Sequence, residues 1–402
     1  MKRREKVQVQ RGVVSENGKN STLRRATASL FDNAILDTPN TQGVKYAGSK
    51  LKLIPHILSL FDGIDVKTVF DGFSGTTRVS QAFAKCGFNV TSNDISEWSY
   101  VFGLCYLQSK KKASEYKDLI EHLNSIKGYD GWFTENYGGL DFEGAAIQPN
   151  GLKKPWQVHN TRKLDGIREE IDRLALSEID KSVALTSLIL AMDGVDSTLG
   201  HFTSYLKDWS SRSYKEMRLK VPNLLENAQD NIVLKGDVFE SMKHVNVDFA
   251  YFDPPYGSNN EKMPPSRVRY ASYYHLWTTI CKNDKPKLFG AALRREDTSD
   301  KIAVTVFEEF RKDESGHFIA VKAIEKLIES VNAKYVAFSY SSGGKATAIE
   351  LNEILNRHGK LIKTIELDYK KNVMADMKWT NQWLRDADEP NREFIFLIDK
   401  QA

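Results

Sequence analysis

Four consecutive residues, Asp253-Pro254-Pro255-Tyr256, carry the clearest chemistry in the chain. They follow Val247-Asp248-Phe249-Ala250-Tyr251-Phe252, whose β-branched and aromatic side chains predict a buried strand. Asp253 precedes a proline and is biased to extended geometry. The prolines offer carbonyls but no N–H donors, so sheet pairing stops there. What remains is a rim whose acceptors are a carboxylate and neighbouring carbonyls, with an aromatic face beside them. An exocyclic amine has two hydrogens that need two acceptors, and its ring can stack on Tyr256. Holding both hydrogens turns the nitrogen lone pair out of conjugation, toward an electrophile. The arrangement suits methyl transfer to the amino group of a base rotated out of its helix. Pro-Pro also makes a tight turn after a core strand without any such chemistry.

A second constellation lies earlier. Asp71-Gly72-Phe73-Ser74-Gly75 sits where the strand at 67–71 gives way to a helix over 76–86. Glycines there let the backbone approach a ligand at the carboxyl edge of an open sheet. The full Gly-x-Gly-x-x-Gly fingerprint for a pyrophosphate is absent, which disfavours an NAD(P)-dependent oxidoreductase. S-adenosylmethionine has no phosphate and needs the tight turn without the full cradle. Asp94 falls 19 residues after Gly75, at the end of the next strand, where a carboxylate can accept both ribose hydroxyls. Asp237, ending a third strand, is a candidate acceptor for the cofactor's adenine amine. Lys50 is the natural cation for a methionine carboxylate, or else a solvated lysine at a helix start. Singly, such residues are more often caps and turn formers; their order along the chain is what points to a cofactor site.

These residues need a scaffold. Strands are predicted at 67–71, 88–94, 232–237, 247–252, 335–340, 361–369 and 393–398, alternating with helices near 51–58, 76–86, 320–332 and 346–357. That rhythm predicts a doubly wound, mostly parallel, seven-stranded α/β sheet. It pauses over 97–230, where helices are expected at 114–126, 161–176 and 181–193 around an aromatic loop, Tyr129 to Trp156. The division expected is a basic arm (1–43), a catalytic domain (44–96 and 231–400) and a helical insertion (97–230). A polar loop region (257–320) flanks the catalytic motif.

The chain has 402 residues, 41% of them hydrophobic, and a net charge of +4. Residues 1–25 hold eight Lys or Arg against two Glu, so the charge is concentrated in the arm. Such an arm is either a phosphate-binding tail or a solvated one. Three scattered cysteines exclude a disulfide framework and a zinc cluster. Without a membrane-length apolar run or a signal peptide, the expectation is a cytoplasmic protein. No metal is implied.

With these motifs in view, the chain resembles the Dam-like class of N6-adenine DNA methyltransferases, of the restriction–modification type. Lys45-Tyr46-Ala47-Gly48-Ser49-Lys50 is similar to that family's Lys-Trp-x-Gly-Gly-Lys block, with Tyr46 for Trp and Ser49 for the second Gly. Asp71-Gly72-Phe73-Ser74-Gly75, Asn93-Asp94, Gly236-Asp237 and Asp253-Pro254-Pro255-Tyr256 match in order. Ser339-Tyr340-Ser341 is similar to a later Ser-Tyr-Asn block. The resemblance implies a Rossmann-like fold, S-adenosylmethionine as cofactor and double-stranded DNA as partner, and it allows a cognate restriction endonuclease. Asp253 favours adenine, since cytosine-specific relatives more often carry Ser there. It makes Asp253, Pro254, Pro255 and Tyr256 catalytic, and Tyr46, Lys50, Asp71, Gly72, Phe73, Gly75, Asp94 and Asp237 cofactor-binding.

Target recognition would fall to the insertions. Arg267, Arg269, Arg294 and Arg295 lie next to the catalytic motif, and Lys207 lies in 97–230; each is a candidate DNA contact or a solvated surface charge. Tyr273, Tyr274, His275 and Trp277 read as helix packing, with one of them free to face the pocket. An RNA or cytosine-amine methyltransferase is the alternative on the same scaffold, and a DNA-binding regulator on an inactive one is a third.

Overall fold

The computed structural model describes residues 37–46, 48–226, 229–256, 270–299, 302, 305–309, 311–342, 344–369 and 391–402. Seven strands form one sheet: β1 (Thr68–Asp71), β2 (Asn89–Asp94), β3 (Ile232–Lys235), β4 (Val247–Phe252), β5 (Ala333–Ser341), β6 (Lys360–Tyr369) and β7 (Asn391–Asp399). Their order across the sheet is β6-β7-β5-β4-β1-β2-β3. The first five run parallel, while β7 lies antiparallel between β5 and β6. All seven expected strands are present, each within two residues of the predicted limits. The principal helices are α1 (Arg78–Lys85), α2 (Glu97–Gly103), α3 (Trp132–Tyr137), α4 (Val158–Arg173), α5 (Glu178–Gly194), α6 (His275–Lys282), α7 (Ile319–Ser330) and α8 (Ala348–His358).

Side chains of the central strands alternate between two cores. Val69, Phe249, Tyr251, Ala337 and Ile395 join the core under α1. Phe70, Ala250, Phe252, Val336, Phe338 and Phe396 join the one under α7 and α8. Both faces being covered, β4 is buried along Phe249 to Phe252, as a central parallel strand must be. From Leu361 to Leu367 the edge strand β6 instead alternates half-buried with exposed positions. After β3 the chain returns to the other side of β1, so β1 and β4 are neighbours whose crossovers diverge. That reversal opens a crevice at their carboxyl ends, where open α/β sheets bind ligands.

A third core joins the helices of 97–230 to α6, with Phe102, Trp156, Ile167, Leu188 and Trp277 all buried. The sequence reading missed α2, which begins at Glu97 and packs on β2 and β3. It runs on through Leu107 with buried residues on nearly every side, because it lies between the sheet and the insertion. No polar face exists to give it a readable helical period. The reading also missed α3 inside the aromatic loop. Its start is held by Asp165 of α4, which accepts the amides of Phe133 and Thr134 at 2.9 Å and the Thr134 hydroxyl at 2.6 Å. From α3, the Tyr137 hydroxyl donates to the Leu293 carbonyl at 2.7 Å, and Tyr205 donates to Ala292 at 2.8 Å. The hairpin at 288–295 is thereby fastened to the insertion. Among the described residues no helix is long and apolar enough to cross a membrane.

Replacing Asp165 with Ala leaves those buried amides without an acceptor and is expected to lower stability by roughly 2 kcal/mol or more. Urea unfolding of the two proteins measures it, and an unchanged midpoint would mean water replaces the carboxylate.

Candidate active site

Asp71 ends β1 and Asp253 leaves β4, so the divergence of the crossovers places both at one crevice. There a cavity of about 280 Å³ is lined by Tyr46, Lys50, Asp71, Gly72, Phe73, Gly75, Asp94 and Asp237 together with Asp253, Pro254, Pro255 and Tyr256. Every residue singled out in the sequence for catalysis or cofactor binding thus meets in one place, from four strand ends and a preceding strap.

The turn after β1 is stitched to both neighbouring strands: Gly72 donates its amide to Tyr251 at 3.0 Å, and Ser74 to Asn93 at 2.9 Å. A Cβ on Gly72 would meet the Phe252 ring at 2.6 Å, so only glycine lets the turn lie this close to β4. Gly75 takes φ +47°, a left-handed conformation that costs other residues about 1–2 kcal/mol. Its amide donates to Asp94 Oδ2 at 2.8 Å, and Ser96 donates to Oδ1 at 2.8 Å. A carboxylate has about four acceptor sites, so Asp94 keeps capacity for further donors. Asp237 is exposed at the cavity edge, where it caps a short helical turn through the Phe239 amide at 2.8 Å.

Asp71 is 1% exposed, and its Oδ2 accepts from Ser80 at 2.5 Å while Oδ1 has no hydrogen-bond partner. Burial, with the charges of Asp253 and Asp94 nearby, lifts its pKa to about 7 against the pull of Ser80. Asp253 is lifted to about 6 by burial and by Glu393, with Lys50 opposing. A neutral or partly protonated acid in a cavity is ready to ionise when a cation arrives.

Lys50 lines the cavity and is paired inside the protein. Its ammonium lies 3.0 Å from Asp253 Oδ1, 2.5 Å from Glu393 Oε1 and 2.5 Å from the Tyr256 hydroxyl. All three of its hydrogens have partners in the protein, two carboxylates and a phenol, so its charge is balanced within the Asp253–Tyr256 turn. Burial lowers its pKa less than the two carboxylates raise it, and it stays protonated. The Tyr256 hydroxyl bonds Asp253 Oδ1 and lies 2.8 Å from Glu393 Oε1. Burial and both carboxylates hold its pKa well above the phenol value. Behind the loop, the Tyr340 ring packs 4.7 Å from that of Tyr256, and Lys345 donates its amide to the Tyr256 carbonyl at 3.2 Å. The Ser339-Tyr340-Ser341 block is therefore a backing for the Asp253–Tyr256 turn.

The strap before Lys50 is fixed from two sides. Arg78 of α1 donates to the carbonyls of Thr41 and Gly43 at 2.7 and 2.8 Å. Lys45 reaches Asp196 at 2.6 Å, and the Tyr46 ring stacks on Tyr274 with centroids 4.6 Å apart. Trp98 and Tyr270 complete this aromatic wall. Of Tyr273, Tyr274, His275 and Trp277, which the sequence assigns to packing with one free to face the pocket, Tyr274 is the one that lines the cavity. Glu393, Trp98 and Tyr270 carried no local signal in the sequence.

The candidate DNA contacts do not share this clustering. Arg295 is 2% exposed and paired with Asp284 and Asp297 at 2.6 and 2.8 Å, so its guanidinium is structural and closed to phosphate. Arg294 is half-buried, donates to Ser272 at 3.1 Å and lies over the Phe289 ring. Lys207 is exposed. Arg267 and Arg269 lie outside the described residues, as do residues 1–36 of the arm.

A family model, D12 class N6 adenine-specific DNA methyltransferase, matches residues 46–341. The chain is 28% identical over 320 residues to "Modification methylase StsI" of Streptococcus sanguinis, covering 78% of this chain and 46% of that protein. It is 26% identical over 375 residues to "Type II methyltransferase M.FokI" of Planomicrobium okeanokoites, covering 89% and 53%. To "Type II methyltransferase M.NlaIII" of Neisseria lactamica it is 23% identical over 338 residues, covering 82% and 92%. The chain therefore spans about half the length of the first two relatives and nearly all of the third. From the strap at Tyr46 to the backing strand at Ser341, the matched span takes in every residue that lines the cavity, and the chain belongs to the D12 class of N6 adenine-specific DNA methyltransferases.

Proposed function

We propose that the chain transfers a methyl group from S-adenosylmethionine to the N6 amine of an adenine rotated out of duplex DNA at a specific sequence, as the modification arm of a restriction–modification system. The observation that carries this reading is a single cavity whose walls hold the acidic strand ends and whose rim is Asp253-Pro254-Pro255-Tyr256. When bound, S-adenosylmethionine supplies a methyl group already activated by its sulfonium charge.

The residues present fit that cofactor. Asp71 Oδ1, buried without a partner, is an acceptor waiting for a cationic group such as the methionine ammonium. Asp94 has acceptor capacity left for ribose hydroxyls, Asp237 is open to an adenine amine, and Tyr46 and Phe73 supply apolar wall. Gly72 and Gly75 leave room for a close approach.

On the substrate side, Asp253 and the Pro254 carbonyl take the two amine hydrogens, and Tyr256 offers its ring to the base. Lys50 keeps Asp253 oriented and ionised. The developing positive charge on the amine nitrogen then faces a carboxylate, so positioning and electrostatics supply most of the acceleration. No strong base has to act first, because the amine becomes acidic only as it gains charge. Lys207, Arg267, Arg269 and Arg294 remain the candidates for DNA contact.

Purified protein with labelled S-adenosylmethionine is expected to label adenine in duplex DNA; label confined to RNA or to cytosine would reject the assignment. Asp253→Ala should lower kcat by roughly 10²-fold or more while cofactor affinity persists, and wild-type turnover in that variant would remove Asp253 from the mechanism. Tyr256→Ala should weaken base capture by about 1–3 kcal/mol, read from DNA affinity and single-turnover rate. Since the ionised form of Asp253 is the better acceptor, kcat at saturating S-adenosylmethionine, where Asp71 is already engaged, should fall as pH drops through about 6. A profile flat across that pH would show that Asp253 ionisation does not limit the rate.

A further inference from the structure

Tyr251 is a buried polar group at the cavity that the mechanism above leaves unused. In the sequence it falls inside the β4 run and reads as core, and its ring does pack edge-on to Phe83 of α1, with centroids 6.2 Å apart. It is 1% exposed and lines the cavity, yet its hydroxyl has no hydrogen-bond partner. A buried hydroxyl without a partner forfeits its hydration for nothing, and phenylalanine would fill the same space without that loss.

Sheet register and charge say what surrounds the hydroxyl. Tyr251 pairs with Asp71 across β4 and β1, so the two side chains are neighbours on one face. Burial, with the charges of Asp253, Asp71 and Glu393, holds the phenol well above its ordinary pKa, and it stays protonated. Ser339 works against that rise, but its Oγ is bonded to Glu393 at 3.3 Å. Asp71 has the same defect on the adjacent strand, a buried Oδ1 with no donor. Arg78 Nε is also unpartnered at the cavity, but it lies against Gly43 of the strap, which the guanidinium already holds.

Two neighbouring oxygens without partners call for a group that brings hydrogens. Their position among three carboxylates decides its charge: an anion is repelled there and an ammonium is attracted. A primary ammonium has three hydrogens, enough for both oxygens. We infer that Tyr251 is a further cofactor-binding residue, whose hydroxyl oxygen accepts, together with Asp71 Oδ1, the ammonium at the methionine end of S-adenosylmethionine. The phenol keeps its proton, and no covalent bond changes. The inference rests on the methyl-transfer reading proposed above.

The test is calorimetric binding to the full chain and to its Tyr251→Phe variant, without DNA. Four ligands separate the contacts: S-adenosylhomocysteine, its decarboxylated analogue that keeps the ammonium, its deaminated analogue that keeps the carboxylate, and 5′-methylthioadenosine, which lacks both. Tyr251→Phe should raise Kd about tenfold for the first two, the worth of one hydrogen bond to a charged group, and leave the other two unchanged. Its melting temperature without ligand should be unchanged or higher, because only an unpartnered hydroxyl is removed. Unchanged affinity for S-adenosylhomocysteine would overturn the inference. So would a loss shared by 5′-methylthioadenosine, or one confined to the ligands that keep the carboxylate. Should the variant not fold, the wild-type chain carries the test: it should bind the ammonium analogue at least tenfold more tightly than the carboxylate analogue, and the reverse order overturns the inference. A chain that binds these ligands as expected but methylates no DNA would overturn only the DNA reading, and one that binds none of them would overturn the cofactor reading and this inference with it.

Discussion

One buried ammonium holds the turn from Asp253 to Tyr256 together. Lys50 sits among Asp253, Glu393 and the Tyr256 hydroxyl, all within hydrogen-bonding reach. Two carboxylates taken out of water side by side cannot both stay ionised without a counter-charge. The lysine supplies it, and it does so from a segment far away in sequence that the loop has no other covalent reason to meet. Removing one member of such a cluster strands the charge of the others, which is why buried ionic groups cost far more to break than they contribute as pairs. The orientation of Asp253, the direction of the Tyr256 ring and the position of the strap are therefore a single arrangement.

Around that cluster the cavity is strongly acidic, and the acids are not equivalent. Asp94 spends acceptor capacity on the turn that shapes the cavity. Asp71 is held near neutrality by burial, with one oxygen open. Asp253 is raised by burial and by Glu393 and held down by Lys50. A site of this kind favours ligands that bring positive charge. It also favours a reaction that creates positive charge on a nitrogen, as methylation of an amine does. The same environment explains why the tyrosines of the wall remain protonated and act as donors and faces.

The helical insertion does structural work at the site as well as beside it. Asp196 anchors Lys45, Tyr274 stacks on Tyr46, and α2 presses Trp98 against both rings. The strap carrying Lys50 is thus clamped between the sheet and the insertion. The region around the 288–295 hairpin, bound to the insertion through Tyr137 and Tyr205, joins the same body.

By itself the sequence determined the seven strands, the alternation that makes the sheet mostly parallel, and the acidic or glycine-rich residues at strand ends. Those are local signals: hydrophobic runs, turn residues and a Pro-Pro stop are written within a few positions of one another. It also placed Lys50 correctly at the site, but not its partner, since a lysine's charge says nothing about which carboxylate will face it. Tertiary structure alone decided that Glu393 belongs there. Because β7 is antiparallel, its first residues pair with the last of β5, Glu393 opposite Ser341, and so reach the rim where β1 and β4 end. Nothing local marks a glutamate at the start of a C-terminal strand as part of a site more than 300 residues from Lys50. Burial likewise decided α2, whose apolar circumference hides its period, and Arg295, whose two aspartate partners turn a candidate DNA contact into a structural ion cluster. Charge and periodicity are properties of a stretch of chain; exposure and pairing are properties of its surroundings.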